Sequence, residues 1–349
     1  QGTSNVPGYQ QRTRVPATYQ GTSNHHHQQQ RTSNAPATYQ GTSNVPGYHQ
    51  GQTGQREQNT DKMLHPLTWF TLTSLASATA STSFCSDNLW QPVFTDNFST
   101  LDLDTWTIDL SANDSNVRNA RGTADNVYIQ NDTLVLRSQR QQAGLYSYTT
   151  GAVWTKDKAF WKPPARVCVR AKLPAGGNGI WPAHWLMPNT KACWPTNGEI
   201  DVMEMINNDG VLHGTYHWSA EGECGRNFQL GNMINITNNN WNDNWHEYAV
   251  EFTMDYIAFV LDGQVYSNVT RTQSHKGQRV ILFDVPYYLI LNTAVGGPWP
   301  KPVDKNTVFP VYHYIDQVTV SRPVSRPASQ PAVMPVNLSV HVLEEEEDA

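Results

Sequence analysis

Between about Phe84 and Ser321 the chain is a succession of short alternating apolar and polar runs, each bounded by Gly, Pro, Asn or Asp. Thr133 to Ser138, Arg166 to Leu173, His246 to Thr253, Tyr256 to Leu261 and Tyr287 to Thr293 are examples, and no long run keeps a helical period. Alternation suits strands that turn one face to a core and the other to water. Repeated short strands over ~240 residues predict an all-β domain, a two-sheet β-sandwich or jelly roll large enough to bury one sizeable core.

The flanks read differently. In residues 1–62 the string Gln-Gly-Thr-Ser-Asn begins at Gln1, Gln20 and Gln40, with almost nothing apolar to repeat. Such a segment builds no core, and the expectation is disorder, with the run His25–His27 solvated. Met63 opens an apolar stretch that ends in Ala76-Ser77-Ala78-Thr79-Ala80, small residues that offer cleavage sites. Residues 63–83 have the shape of a secretory signal peptide, too short for a membrane span. A signal peptide acts at an N-terminus, so translation is expected to begin at Met63. Residues 84–321 form the folded domain, and 322–349 form a Pro- and Ser-rich, then acidic, tail.

Composition narrows the partners. Charged residues make up 15% of the chain and the formal net charge is −6, so there is no basic stripe for a phosphate backbone or an anionic membrane. Eleven of the 12 tryptophans lie between Trp90 and Trp299. Indole pairs a large apolar ring with an N–H that wants an acceptor, which favours half-wet surfaces and so a ligand face. The four cysteines, Cys85, Cys168, Cys193 and Cys224, show no C-x-x-C spacing, which argues against zinc and leaves up to two disulfides in three connectivities. Six N-x-[ST] sequons, at Asn97, Asn113, Asn131, Asn235, Asn268 and Asn337, fit a glycosylated extracellular protein.

The chemistry is concentrated in Asn197-Gly198-Glu199-Ile200-Asp201-Val202-Met203-Glu204-Met205, where three carboxylates sit in six residues. On a strand Glu199 and Asp201 share a face, while Glu204, five residues from Glu199, points the other way. One extra residue, a β-bulge near Val202–Met203, restores the parity. Acids gathered this closely cannot all ionise cheaply, so at least one keeps its proton. A glycosidase needs that arrangement: one carboxylate attacks the anomeric carbon while a protonated one donates to the leaving oxygen. The spacing assigns Glu199 as nucleophile, Glu204 as acid/base, and Asp201 as the group between them that tunes Glu199. A solvated strand face is the bland alternative, and three acids among tryptophan-rich segments weigh against it.

The stretch resembles the glycoside hydrolase family 16 signature in its bulged E-x-D-x-x-E form. Other blocks agree in order: Ala171 to Pro174, then Gly179-Ile180-Trp181-Pro182-Ala183-His184-Trp185-Leu186-Met187-Pro188; His213 to His217; Trp245 to Tyr248; and Leu291-Asn292-Thr293-Ala294-Val295-Gly296-Gly297 with Trp299. The similarity runs from about Phe94 to Val320. It implies a concanavalin A-like jelly roll with a concave substrate cleft, a retaining mechanism, and the activity of a laminarinase-like endo-β-1,3-glucanase or β-1,3(4)-glucanase. Trp181, Trp185, His217, Asn292 and Trp299 match substrate-binding positions. Val167-Cys168-Val169, Phe252 and Ile315-Asp316-Gln317-Val318 depart from the family's usual residues, which leaves substrate preference open.

Some relatives carry a structural calcium, for which Asp316 is a single and weak candidate; no cofactor or catalytic metal is expected. A Cys193–Cys224 disulfide is expected to brace the loops around the cleft, with Cys85 and Cys168 unpaired. The expected partner is a β-glucan polysaccharide, met outside the cell by a monomer. A β-glucan-binding recognition protein or a transglycosylase on the same fold are the competing readings, and retention of all three acids favours the enzyme.

Overall fold

The structure, a computed structural model, describes residues 83–110, 119–219, 222–236 and 241–324. The polar repeat with His25–His27, the leader through residue 82, the tail beyond 324, and the sequons at Asn113 and Asn337 lie outside the described residues. Among the described residues the regular structure is nearly all strand, with three single-turn 3-10 segments. Two large sheets form a β-sandwich of the jelly-roll kind.

One sheet has seven strands, in the order Phe228–Asn235, Val211–Trp218, Glu199–Glu204, Ile180–Pro188, Tyr287–Val295, Ala152–Trp154, Thr107–Ile108. The other runs Gln264–Thr270, Tyr256–Leu261, His246–Phe252, Ala165–Lys172, Val311–Pro323, Leu134–Ala143, Tyr146–Thr150, Ala120–Gly122, with Trp90–Asp96 pairing along Val311–Pro323 and Val127–Ile129 along Leu134–Ala143. One core cluster draws from both: Leu186, Ile200, Val202, Leu289 and Leu291 from the first, Val167, Val169, Val250, Phe259 and Val320 from the second. The residues expected to form strands do so, with ends displaced by a few positions. The last strand runs two residues past Ser321, to Pro323, because Trp90 and Gln91 pair with Pro323 and Arg322.

Val211–Trp218 shows the simplest link from pattern to fold. Leu212, Tyr216 and Trp218 are buried, while Val211, His213, Thr215 and His217 are only partly so. This period of two leaves an open face on the seven-stranded sheet, away from the core. Tyr287–Val295 breaks the rule, being buried along its whole length. Even its polar Asn292 and Thr293 are inside, each hydrogen-bonded.

The cysteine expectation is corrected in one respect. Cys193–Cys224 is a disulfide, but Cys85 and Cys168 are also bonded to each other, across a separation of 83 residues. Cys85 belongs to a short 3-10 turn whose neighbour Phe84 packs over Arg166, which brings the sulfur to the Ala165–Lys172 strand. No spacing rule in the sequence points to that contact. Asp316 gives one oxygen to the Arg170 guanidinium, so it offers a lone carboxylate already held by a cation. That arrangement does not fit calcium, which takes six or more oxygens.

Candidate active site

The acidic strand carries the bulge that its spacing requires. Glu199, Asp201 and Glu204 lie opposite His217, Thr215 and His213 of the neighbouring strand. Those three alternate outward on a regular strand, so all three acids face the open side of the sheet. On the other flank Asp201 pairs with Trp185 and Met203 with His184, which makes Val202 the extra residue. Val202 and Met203 both drop into the core, and that double anchoring holds the kink. Gly198, just before the strand, has φ +84° and lies against the Tyr216 and Tyr287 hydroxyls, where a Cβ would come within 2.9 Å of both. Only glycine suits that backbone and that space. The tyrosine hydroxyls donate to the carbonyls of Ile281 and Asn197, at 2.6 and 2.8 Å, which fixes the entry to the strand.

Each glutamate accepts a hydrogen bond from an indole. Trp194 Nε1 donates to Glu199 Oε2 at 2.7 Å, and Trp181 Nε1 donates to Glu204 Oε1 at 3.0 Å. Asp201 is buried between them, and its carboxyl and that of Glu199 bring oxygens to within 4.8 Å of each other. Burial pushes all three acids above the usual carboxylate range. The charge of Asp201 adds to the upward push on Glu199, against which the His217 ring and the Trp194 N–H hold the carboxylate form. Glu204 is pushed up by burial and then by both other acids, with only His217 and Trp181 opposing. The cluster therefore holds fewer than three negative charges at neutral pH, and Glu204 is the member with most reason to keep its proton.

The remaining expected residues gather on the same face. Asn292 lies opposite Ala183, which lies opposite Glu204, so Asn292, Ala183, Glu204 and His213 form one row across four strands. Asn292 accepts from Trp185 Nε1 at 2.7 Å. Trp181 stands edge-on to Trp299, ring centroids 5.3 Å apart, and Trp299 also meets His213 at 4.9 Å. His217 sits with Nε2 3.0 Å from Asp201 Oδ2. Trp181 and Trp185 are half-buried, and Trp299 is 42% exposed. Two members of the constellation were not anticipated. Trp194, 40% exposed, touches the Glu199 carboxyl from a loop held by the Cys193–Cys224 disulfide. Asn227 holds the far side of the His217 ring through Oδ1 at 3.0 Å from Nδ1. A tryptophan next to a cysteine, five residues before the first acid, was a usable signal for the first; the second had none.

A largely antiparallel sandwich with buried acids between indoles on its open face defines a carbohydrate-active jelly roll. The chain belongs to glycosyl hydrolases family 16, whose family model matches residues 114–308. It is 34% identical over 212 residues to a beta-glucanase of Rhodothermus marinus, covering 58% of this chain and 72% of that protein. It is 31% identical over 238 residues to glucan endo-1,3-beta-glucosidase A1 of Niallia circulans, covering 60% of this chain and 34% of that protein. Among solved structures, the laminarinase catalytic domain of Thermotoga maritima MSB8 superposes with a TM-score of 0.61 at 30% identity, over 68% of this chain and 99% of that one.

Proposed function

We propose that this chain is a secreted, retaining endo-β-glucanase that cuts β-1,3-glucan or β-1,3(4)-glucan. The observation that carries the reading is the bulge at Val202, which turns Glu204 to the face that holds Glu199. Glu199 attacks the anomeric carbon and forms a glycosyl ester as the glycosidic C–O bond breaks, and Glu204 gives its proton to the departing oxygen. Water then enters, Glu204 takes its proton, and the ester opens with net retention. Asp201, close beside Glu199, adjusts the charge of the nucleophile across the two steps. Half-buried indoles beside fixed amide and carboxyl groups suit a sugar ring, which has apolar faces and a polar rim. The named activities of the relatives support the substrate class. A binding-only role is disfavoured, since all three acids are in place.

Secretion is supported by two disulfides, which persist in oxidising compartments, and by the exposure of Asn97, Asn131, Asn235 and Asn268 among the sequons.

The test is hydrolysis of laminarin, mixed-linkage glucan and agarose by wild type, E199Q and E204Q. Wild type is expected to release β-anomers first from the two glucans and to leave agarose intact. E199Q should bind laminarin without turnover. E204Q should lose about 10²–10⁴ in kcat/KM on laminarin but far less on an aryl glycoside whose leaving group needs no proton. Initial release of α-anomers, or full rate in E199Q, rules the mechanism out.

A further inference from the structure

The surroundings of His217 leave a gap in the hydrogen bonding that a sugar-cleaving site does not explain. Asn227 Nδ2 donates to Gln229 Oε1 at 3.3 Å, which turns its carbonyl oxygen to His217 Nδ1 at 3.0 Å. A carbonyl oxygen only accepts, so Nδ1 carries the hydrogen, and Nε2 is the nitrogen whose lone pair a cation can take. That lone pair lies 3.0 Å from Asp201 Oδ2, and Asp201 is 3% exposed. Close as it is, Oδ2 has no hydrogen-bond partner, so the approach of the two atoms is not that of a hydrogen bond. Two acceptors flanking a common point is the arrangement of two ligands of one cation. Glu199 supplies a third, since ligand atoms of Glu199, Asp201 and His217 all lie within 4.8 Å of one another. Trp194 occupies only Oε2 of Glu199.

We propose that Glu199, Asp201 and His217 form a binding site for a borderline divalent transition ion, Zn²⁺ or Cu²⁺. One imidazole nitrogen and two carboxylate oxygens suit such ions, at about 2.0–2.2 Å for zinc, and leave a fourth position open to water. Hard Ca²⁺ and Mg²⁺ prefer more oxygens and no imidazole. The far nitrogen of a metal-bound histidine usually donates to a carbonyl or carboxylate, and the Asn227 amide does this here. Occupancy ties up the Glu199 carboxylate, so the ion inhibits. That consequence rests on Glu199 being the nucleophile, whereas the binding itself does not. All four cysteines are in disulfides, so no thiol competes for the ion.

The experiment titrates Zn²⁺ by calorimetry, and Co²⁺ by its visible d–d absorption, into the full chain carrying H25A, H26A and H27A, which removes the histidine run as a rival chelator. One site is expected. H217Q should weaken it at least 100-fold, and N227L, which keeps all three ligands, about 10-fold. Absence of a site in this background, or equal affinity in H217Q and N227L, overturns the proposal. Inhibition of laminarin hydrolysis by Zn²⁺, reversed by EDTA, should track the same affinities. Binding as expected in a protein that Zn²⁺ does not inhibit, or that never hydrolyses laminarin, upholds the metal site and rejects the role given to Glu199.

Discussion

Trp194 is, with His217, one of two groups that help Glu199 ionise. Its N–H favours the carboxylate, against the burial and the Asp201 charge that favour the acid. Replacing it by phenylalanine keeps a flat ring and removes the donor. The sign follows directly: with the stabiliser of the anion gone, the pKa of Glu199 rises further. The proposed nucleophile works ionised, so rate is lost as pH falls through that pKa, and W194F should move the acidic limb of kcat/KM to higher pH. A hydrogen bond to a charged group is worth about 1.5–3 kcal/mol, or about 1–2 pH units. The alkaline limb, which the proposed mechanism assigns to Glu204 losing its proton, should stay in place. A pH–rate profile on laminarin makes the comparison, and a uniform drop at every pH would mean that Trp194 only shapes the cleft. At this scale the sequence was informative where chemistry was local. Glu199, Asp201 and Glu204 stand within six residues, and a known parity rule relates them. Trp194 and Asn227 reach the site from a disulfide-closed loop and from the position just before the edge strand Phe228–Asn235, which no spacing relates to the acids.

The bulged strand poses a sharper question, because the geometry distinguishes two deletions. Removing Val202 alone would leave Glu199, Ile200, Asp201, Met203 and Glu204 in succession. The three acids would then alternate regularly and still share the open face. Removing Val202 and Met203 together would leave Glu204 three places after Glu199, turned into the core. Val202 and Met203 are both fully buried, so the single deletion should cost about 1.5–3 kcal/mol of stability through the lost valine. It should nevertheless retain measurable glucanase activity. The double deletion should have none, and should unfold far more easily because it buries a carboxyl among apolar side chains. Activity assays and urea midpoints test both. An inactive but folded single deletion would show that the kink sets a distance or angle that parity alone does not supply. Alternation made most strands legible from sequence, Val211–Trp218 above all. Tyr287–Val295 was legible as a strand from Tyr287 to Thr293 but not in its burial, because it lies mid-sheet and is buried along its whole length.

Across the whole molecule the two disulfides hold different things. Cys85–Cys168 ties the first turn of the described domain to a strand of the ten-stranded sheet, remote in topology from the acids. Cys193–Cys224 closes a loop of separation 31 that presents Trp194 to Glu199. Chain entropy gives the longer loop the larger effect on folding: about 4.5 kcal/mol for a separation of 83 against about 3.7 for 31. In a domain of this size that corresponds to a fall in Tm of roughly 10 °C for either pair. Function should divide the other way. The double variant C85S/C168S should melt earlier and keep its kcat/KM at a temperature where it is still folded. C193S/C224S should lose kcat/KM there, and its acidic limb should shift upward as in W194F, because the same indole is released. Calorimetric melting and pH–rate profiles of the two variants, measured well below both transitions, separate these effects. Equal loss of activity in both would mean that the sandwich transmits strain from the outer sheet to the acids, and that the cleft loop is not the determinant. The expectation of free thiols at Cys85 and Cys168 failed for a reason visible only at this scale: two residues 83 apart meet through packing of the turn at Phe84 over Arg166, a contact that exists once the strand of Arg166 has taken its place in the ten-stranded sheet.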